Sequence, residues 1–164
     1  MLPDFRDKWV VVKEKQAVDH IIKDLLDCHY KFAGHYDNIS QVFKGQTVAD
    51  TCDRLYYFCK ENIRYKEEGE SEQTTAIPAG ILVRGQGDCK HYASFIAGCL
   101  CSLARSGYPV SVSFCFASYK EDQRTPYHVF VICNDLQTGD EIWIDPTPGS
   151  ANMVPVWVVE QNIF

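Results

Sequence analysis

Cys89, His128 and Asp145 are the residues whose types and placement could do covalent chemistry. Cys89 lies in RGQGDCKHYASF, residues 84–95, behind two glycines and an aspartate, where an apolar helical pattern begins. A cysteine in the first turn of a helix faces the positive end of the helix dipole. Free backbone N–H groups there stabilise a thiolate and can also receive an oxyanion. Such a nucleophile still needs a base, and the base needs a group that orients it.

Five histidines could supply the base. His20 and His29 fall on a predicted helix, at its surface or boundary, and His35 follows Gly34 in a loop. His91 is two positions after Cys89 and so points away from it around the helix. His128 opens a strand and is the histidine of the sheet-forming half. Centring the following hairpin turn between Leu136 and Gln137 makes paired positions sum to 273, which sets His128 opposite Asp145. Directly opposed residues on antiparallel strands share a face, so Asp145 could hold the ring; a one-residue slip would move it to the other face. Each feature has an ordinary reading alone: a helix-start cysteine is usually inert, a strand-start histidine structural, an aspartate before proline a turn residue. Their combination is much harder to reach by coincidence. Metal binding by Asp88, Cys89 and His91 is disfavoured, because C-x-H lacks a second pair of ligands. The chemistry requires no metal or organic cofactor.

Three helices and a run of strands must position these residues. Residues 14–34 carry Val18, Ile21, Ile22, Leu25, His29 and Phe32 at three- and four-residue steps, with Gly34 as the stop. A second helix is predicted over 48–63, opened by a capping box of Thr47 and Asp50 and striped by Val48, Cys52, Leu55, Cys59 and Ile63. KEEGESE, 66–72, reads as a solvated loop, and AIPAGILVRGQG, 76–87, as an irregular connector with at most one short turn. The third helix has Asp88 as N-cap and Gly107 at C′, before Pro109. Its many small residues imply close packing on something flat. Strands are predicted at 109–117, 127–133, 140–147 and 154–159, with a hairpin turn in NDLQTGD. Helices first and strands second argue for an α+β class, N-terminal helices packed on an antiparallel sheet.

Composition removes several alternatives. The 164 residues predict one domain, spanning 1–164 with its core at about 48–148. Net charge is −6 and the cations are scattered, so nucleic acid is not an expected partner. The N-terminus lacks the apolar core of a signal peptide, and no apolar run approaches the ~18 residues of a membrane span. A cytoplasmic protein with no membrane partner is expected. None of the eight cysteines forms a C-x-x-C pair, and most fall on apolar faces, so reduced core thiols are predicted.

GDC-x-x-x-A opening a helix, G-Y-P-V ending it, H-V-F-V on a strand and W-I-D-P-T on the next together resemble the transglutaminase-like superfamily. The resemblance implies a papain-like or transglutaminase-core fold. It also implies a triad of Cys89 as nucleophile, His128 as general base and acid, and Asp145 as orienter. Phe130 stands where a tryptophan often follows the family histidine. Gln86 is close enough to Cys89 to help an oxyanion hole, at a spacing unlike the papain-type glutamine. The compact core looks like the small microbial or phage-encoded members, which implies a cysteine peptidase or amidase with a protein or peptide substrate. The alternatives are a catalytically silent binding or assembly module, protein-glutamine amine transfer and arylamine acetyl transfer. The N- or C-terminal segment could join a larger assembly.

Overall fold

A computed structural model describes residues 10–11, 18–69, 74–119, 127–150, 153, 155 and 157–164. The elements run β1 (Val10–Val11), α1 (Val18–Lys31), a 3-10 turn (Ala33–Tyr36), α2 (Asp37–Phe43), α3 (Val48–Asn62), β2 (Arg64–Tyr65), β3 (Thr74–Thr75), α4 (Pro78–Arg84), β4 (Gln86–Gly87), α5 (Cys89–Arg105), β5 (Val110–Ser118), β6 (His128–Asp135), β7 (Glu141–Ile144) and β8 (Trp157–Asn162). Mixed helix and sheet, with helices leading, is the α+β arrangement expected.

Local signals explain the two best-defined helices. Thr47 Oγ1 accepts the N–H of Asp50 at 3.1 Å and starts α3, while Asp50 reaches back to the N–H of Gln46. The predicted stripe from Val48 to Ile63 is buried. Asp88 caps α5 by accepting the N–H of Lys90 at 3.0 Å. At the other end Gly107 takes φ +88°, and the N–H of Tyr108 bonds the carbonyl of Leu103, closing the helix as Gly at C′ should.

Every residue of α5 from Lys90 to Ala104 is buried. The helix packs on β5 and β6, as its small residues implied, but also on α2 and the 3-10 turn. Gly98 serves that second contact: a Cβ there would lie 2.3 Å from the Tyr36 ring. β7, β6, β5 and β8 form an antiparallel sheet in that order. Val112, Phe114, Phe116, Val129 and Val131 join the main core with α5, while Cys115, Ala117, Phe130 and Ile132 form a smaller cluster on the opposite face.

The structure corrects several expectations. The first helix ends at Lys31, short of Gly34; residues 14–17 lie outside the described residues. His35 sits in the 3-10 turn, which leads into α2, an element too short to leave a periodic pattern. The 76–87 connector contains α4 and β4. Pro78 at the first turn lacks only an N–H that a helix start leaves unbonded anyway, and Gly85 caps the end at φ +58°. Residues that read as loop punctuation therefore bracket two turns of helix. β7 stops at Ile144, and β8 runs later than predicted.

The hairpin register is also different. Val131 pairs with Ile144 and Asn134 with Glu141, so paired positions sum to 275, not 273. Asp135 accepts from the N–H groups of Gln137 and Thr138, and Gly139 at φ +82° returns the chain to Asp140. This four-residue turn is centred one position later than expected. The pairing moves by two residues, which keeps every side chain on its face. Asp145 is thus a diagonal rather than a direct neighbour of His128.

Candidate active site

Cys89 is the first residue of α5 and is partly exposed. Its backbone N–H finds no acceptor among the described residues, as expected at a helix start. His128 opens β6 and is 9% exposed; Asp145 follows the end of β7. His128 Nε2 and Asp145 Oδ2 lie 2.7 Å apart, and Cys89 is close enough to the ring to influence its charge. Burial disfavours a charge on His128. The hydrogen bond and negative charge of Asp145, with Cys89 nearby, more than offset it, so the imidazole is pushed up to about 10. Asp145 is itself held, its Oδ1 accepting the N–H of Thr147 at 3.1 Å. Tyr119 lies on the histidine ring at 5.7 Å, and Phe130 at 6.1 Å bridges to Trp143.

Gln86 lies in β4, which pairs parallel with β2. Its Oε1 accepts from Arg64 at 2.8 Å, which orients the amide. Gly87 follows because no side chain fits: a Cβ would meet that of His91 at 2.6 Å.

Behind the cysteine lies a polar cluster that sequence reasoning missed. Lys90 is 7% exposed; its ammonium contacts Asp88 and lies 3.7 Å from Glu68. His91 Nδ1 lies 2.9 Å from Asp88 Oδ1, and its Nε2 is 3.3 Å from Thr74 Oγ1. Glu68 also accepts the N–H of Thr74 at 2.6 Å. The KEEGESE segment is therefore not simply a solvated loop: Glu68 turns inward, and 70–72 lie outside the described residues. Burial works against the Asp88 charge, but His91 and Lys90 hold the carboxyl at about 2. The donor atoms of Glu68, Asp88 and His91 lie within 4.8 Å of one another, a spacing a metal could use. Here the Lys90 ammonium supplies the positive charge.

A cavity of about 320 Å³ adjoins the site, between the end of α3, Tyr65, Tyr92 and the Pro146–Ser150 segment. The Tyr65 phenol is pushed up by burial first and then by Cys89, Glu67, Asp88 and Asp145. Tyr65 carries no motif in the sequence; only its pairing with Gly87 brings it here.

The other cysteines are free thiols, and all but Cys28 are buried. Burial pushes Cys28, Cys59, Cys99, Cys101 and Cys115 up, and at Cys52 the neighbouring Cys133 thiol does so first and burial second. His29 is not at a surface: it is 6% exposed, its ring edge-on to Phe114, and burial lowers it to about 4. Among the described residues no helix is long and apolar enough to cross a membrane.

In comparisons with known proteins, the family description "transglutaminase-like superfamily" matches residues 37–157. No curated protein matches the chain, and no solved structure does.

Proposed function

Because the chain belongs to the transglutaminase-like superfamily, we propose that it cleaves amide or peptide bonds through a thioester on Cys89, as a cysteine peptidase or amidase of papain-like arrangement. Members of this superfamily generally perform cysteine-dependent acyl transfer or hydrolysis. The observation that carries the reading is the His128 ring, bonded to Asp145 at 2.7 Å and near Cys89, the first residue of α5. With Nε2 given to the carboxylate, Nδ1 is the ring nitrogen left to face the thiol.

The Cys89 sulfur attacks the carbonyl carbon, and the carbonyl electron pair moves onto oxygen. The N–H of Cys89, aided by the Gln86 amide, receives that oxyanion. A histidine pushed up to about 10 is protonated at neutral pH. The imidazolium gives its proton to the amine as the C–N bond breaks, leaving a thioester. The neutral ring then takes a proton from water, which attacks the thioester and releases the acid. Asp145 keeps the ring oriented and stabilises its charged form, without itself being protonated.

Water rather than a lysine amine is the acceptor in this reading. The adjoining cavity carries Lys60 and Arg64 on its wall, an unfavourable approach for a second ammonium. Mass spectrometry of a glutamine-containing peptide incubated with excess primary amine tests this. Acid or cleaved peptide, lost in Cys89→Ala, is expected. Dominant amine adducts would make the protein an amine transferase, and no product on any peptide would favour the silent binding module.

A further inference from the structure

We propose that the cavity beside Cys89 is a substrate subsite that selects a carboxylate, so that the preferred substrate is a peptide bearing an acidic side chain or a free C-terminal carboxylate next to the attacked carbonyl; this rests on the peptidase or amidase reading above.

Two walls of the cavity start at the candidate catalytic residues. Tyr92 follows Cys89 by one helical turn and shares its side of α5. The Pro146–Ser150 wall begins at the residue after Asp145. A group bound here therefore lies within one helical turn of Cys89 along α5 and next to the residue that follows Asp145. At about 320 Å³ the cavity is at the small end of ligand sites, with room for a residue or two.

Its chemistry is cationic and aromatic. Lys60 and Arg64 lie four residues apart where α3 gives way to β2. Neither forms an ion pair among the described residues. The Lys60 ammonium instead lies 5.5 Å from the Tyr56 ring centre. Arg64 uses one nitrogen on Gln86 Oε1, a neutral partner that orients the guanidinium without neutralising it. Two cations without an ion pair among the described residues thus share one cavity wall in a chain of net charge −6. A guanidinium held in place presents a donor fork that fits a carboxylate, and Tyr56 and Tyr65 offer ring surface to the adjoining aliphatic part.

Four chloroacetyl probes test the proposal without a known substrate: chloroacetyl-glutamate amide, chloroacetyl-glutamine amide, chloroacetyl-glutamine free acid and chloroacetyl-lysine amide. In each, the Cys89 sulfur displaces chloride from the CH₂ group. Alkylation rates come from intact-protein and peptide mass spectrometry. Wild type should react with one or both anionic probes about fivefold or more faster than with the neutral one, at low salt. Glutamate amide leading identifies a side-chain carboxylate, and the free acid leading identifies a chain terminus. Lys60→Gln/Arg64→Gln should bring the ratio to about one. Lys60→Glu/Arg64→Glu should invert it toward the lysine probe, an outcome that loss of packing would not produce. Selective Cys89 labelling with an anionic-to-neutral ratio near one, or a ratio unmoved by both double variants, overturns the subsite. Absence of selective Cys89 labelling by every probe overturns the catalytic reading on which it rests.

Discussion

At the scale of single residues, Asp145 favours the charged form of His128, so removing its charge acts in a defined direction. The wild-type rate should fall on the alkaline side as His128 loses its proton, near pH 10. Asp145→Asn should move that limb toward neutral pH and cut the maximal rate by up to ~10⁴-fold, on the scale of the equivalent change in a serine triad. A pH–rate profile of both proteins checks the shift. Cys89→Ala should abolish turnover with an unchanged far-UV circular dichroism spectrum. Cys89, His128 and Asp145 were legible because residue type, helix start and strand alternation each leave a mark in the sequence. Lys90 and Glu68 were not. Their burial depends on a polar loop closing over the start of α5, which no local pattern encodes.

The elements depend on close approach as much as on propensity. Gly87→Ala would force a Cβ against His91, and Gly98→Ala one against the Tyr36 ring. Each should destabilise by about 1–3 kcal/mol, the usual cost of overfilling a packed site. Urea unfolding measures the loss for both. Gly87→Ala should also slow turnover, because His91 and Asp88 together cap the helix that carries Cys89, whereas Gly98→Ala should leave the rate of the folded fraction near wild type. The longer elements, α3, α5, β5 and β6, could be read within a few residues, since caps and periodicity agree there. α2 and α4 could not, being seven residues each and opened or closed by residues that serve loops equally well. The register error came from the same source: NDLQTGD marks a turn, but which residues occupy it depends on Gly139 and the Asp135 carboxylate.

Across the whole molecule, two histidines set opposite pH limbs on stability. His29 is lowered to about 4, so between there and its ordinary 6.5 the unfolded chain binds more protons and stability falls as pH falls. His128 is raised, so its contribution is complete below 6.5 and is lost as pH rises toward about 10. The melting temperature should peak near pH 6.5. His29→Phe should flatten the acid limb, worth on the order of 3 kcal/mol, and a melting temperature rising steadily from pH 6.5 to 9 would contradict the assignment of His128. The eight thiols give the most direct test of the central claim, since seven of them are internal controls for the eighth. In the folded protein at pH 6, limiting iodoacetamide followed by peptide mapping should label Cys89 well ahead of Cys28 and the six buried thiols, and His128→Ala should slow that labelling. Unselective or uniformly slow alkylation, or a rate unchanged in His128→Ala, would contradict a catalytic pair of Cys89 and His128.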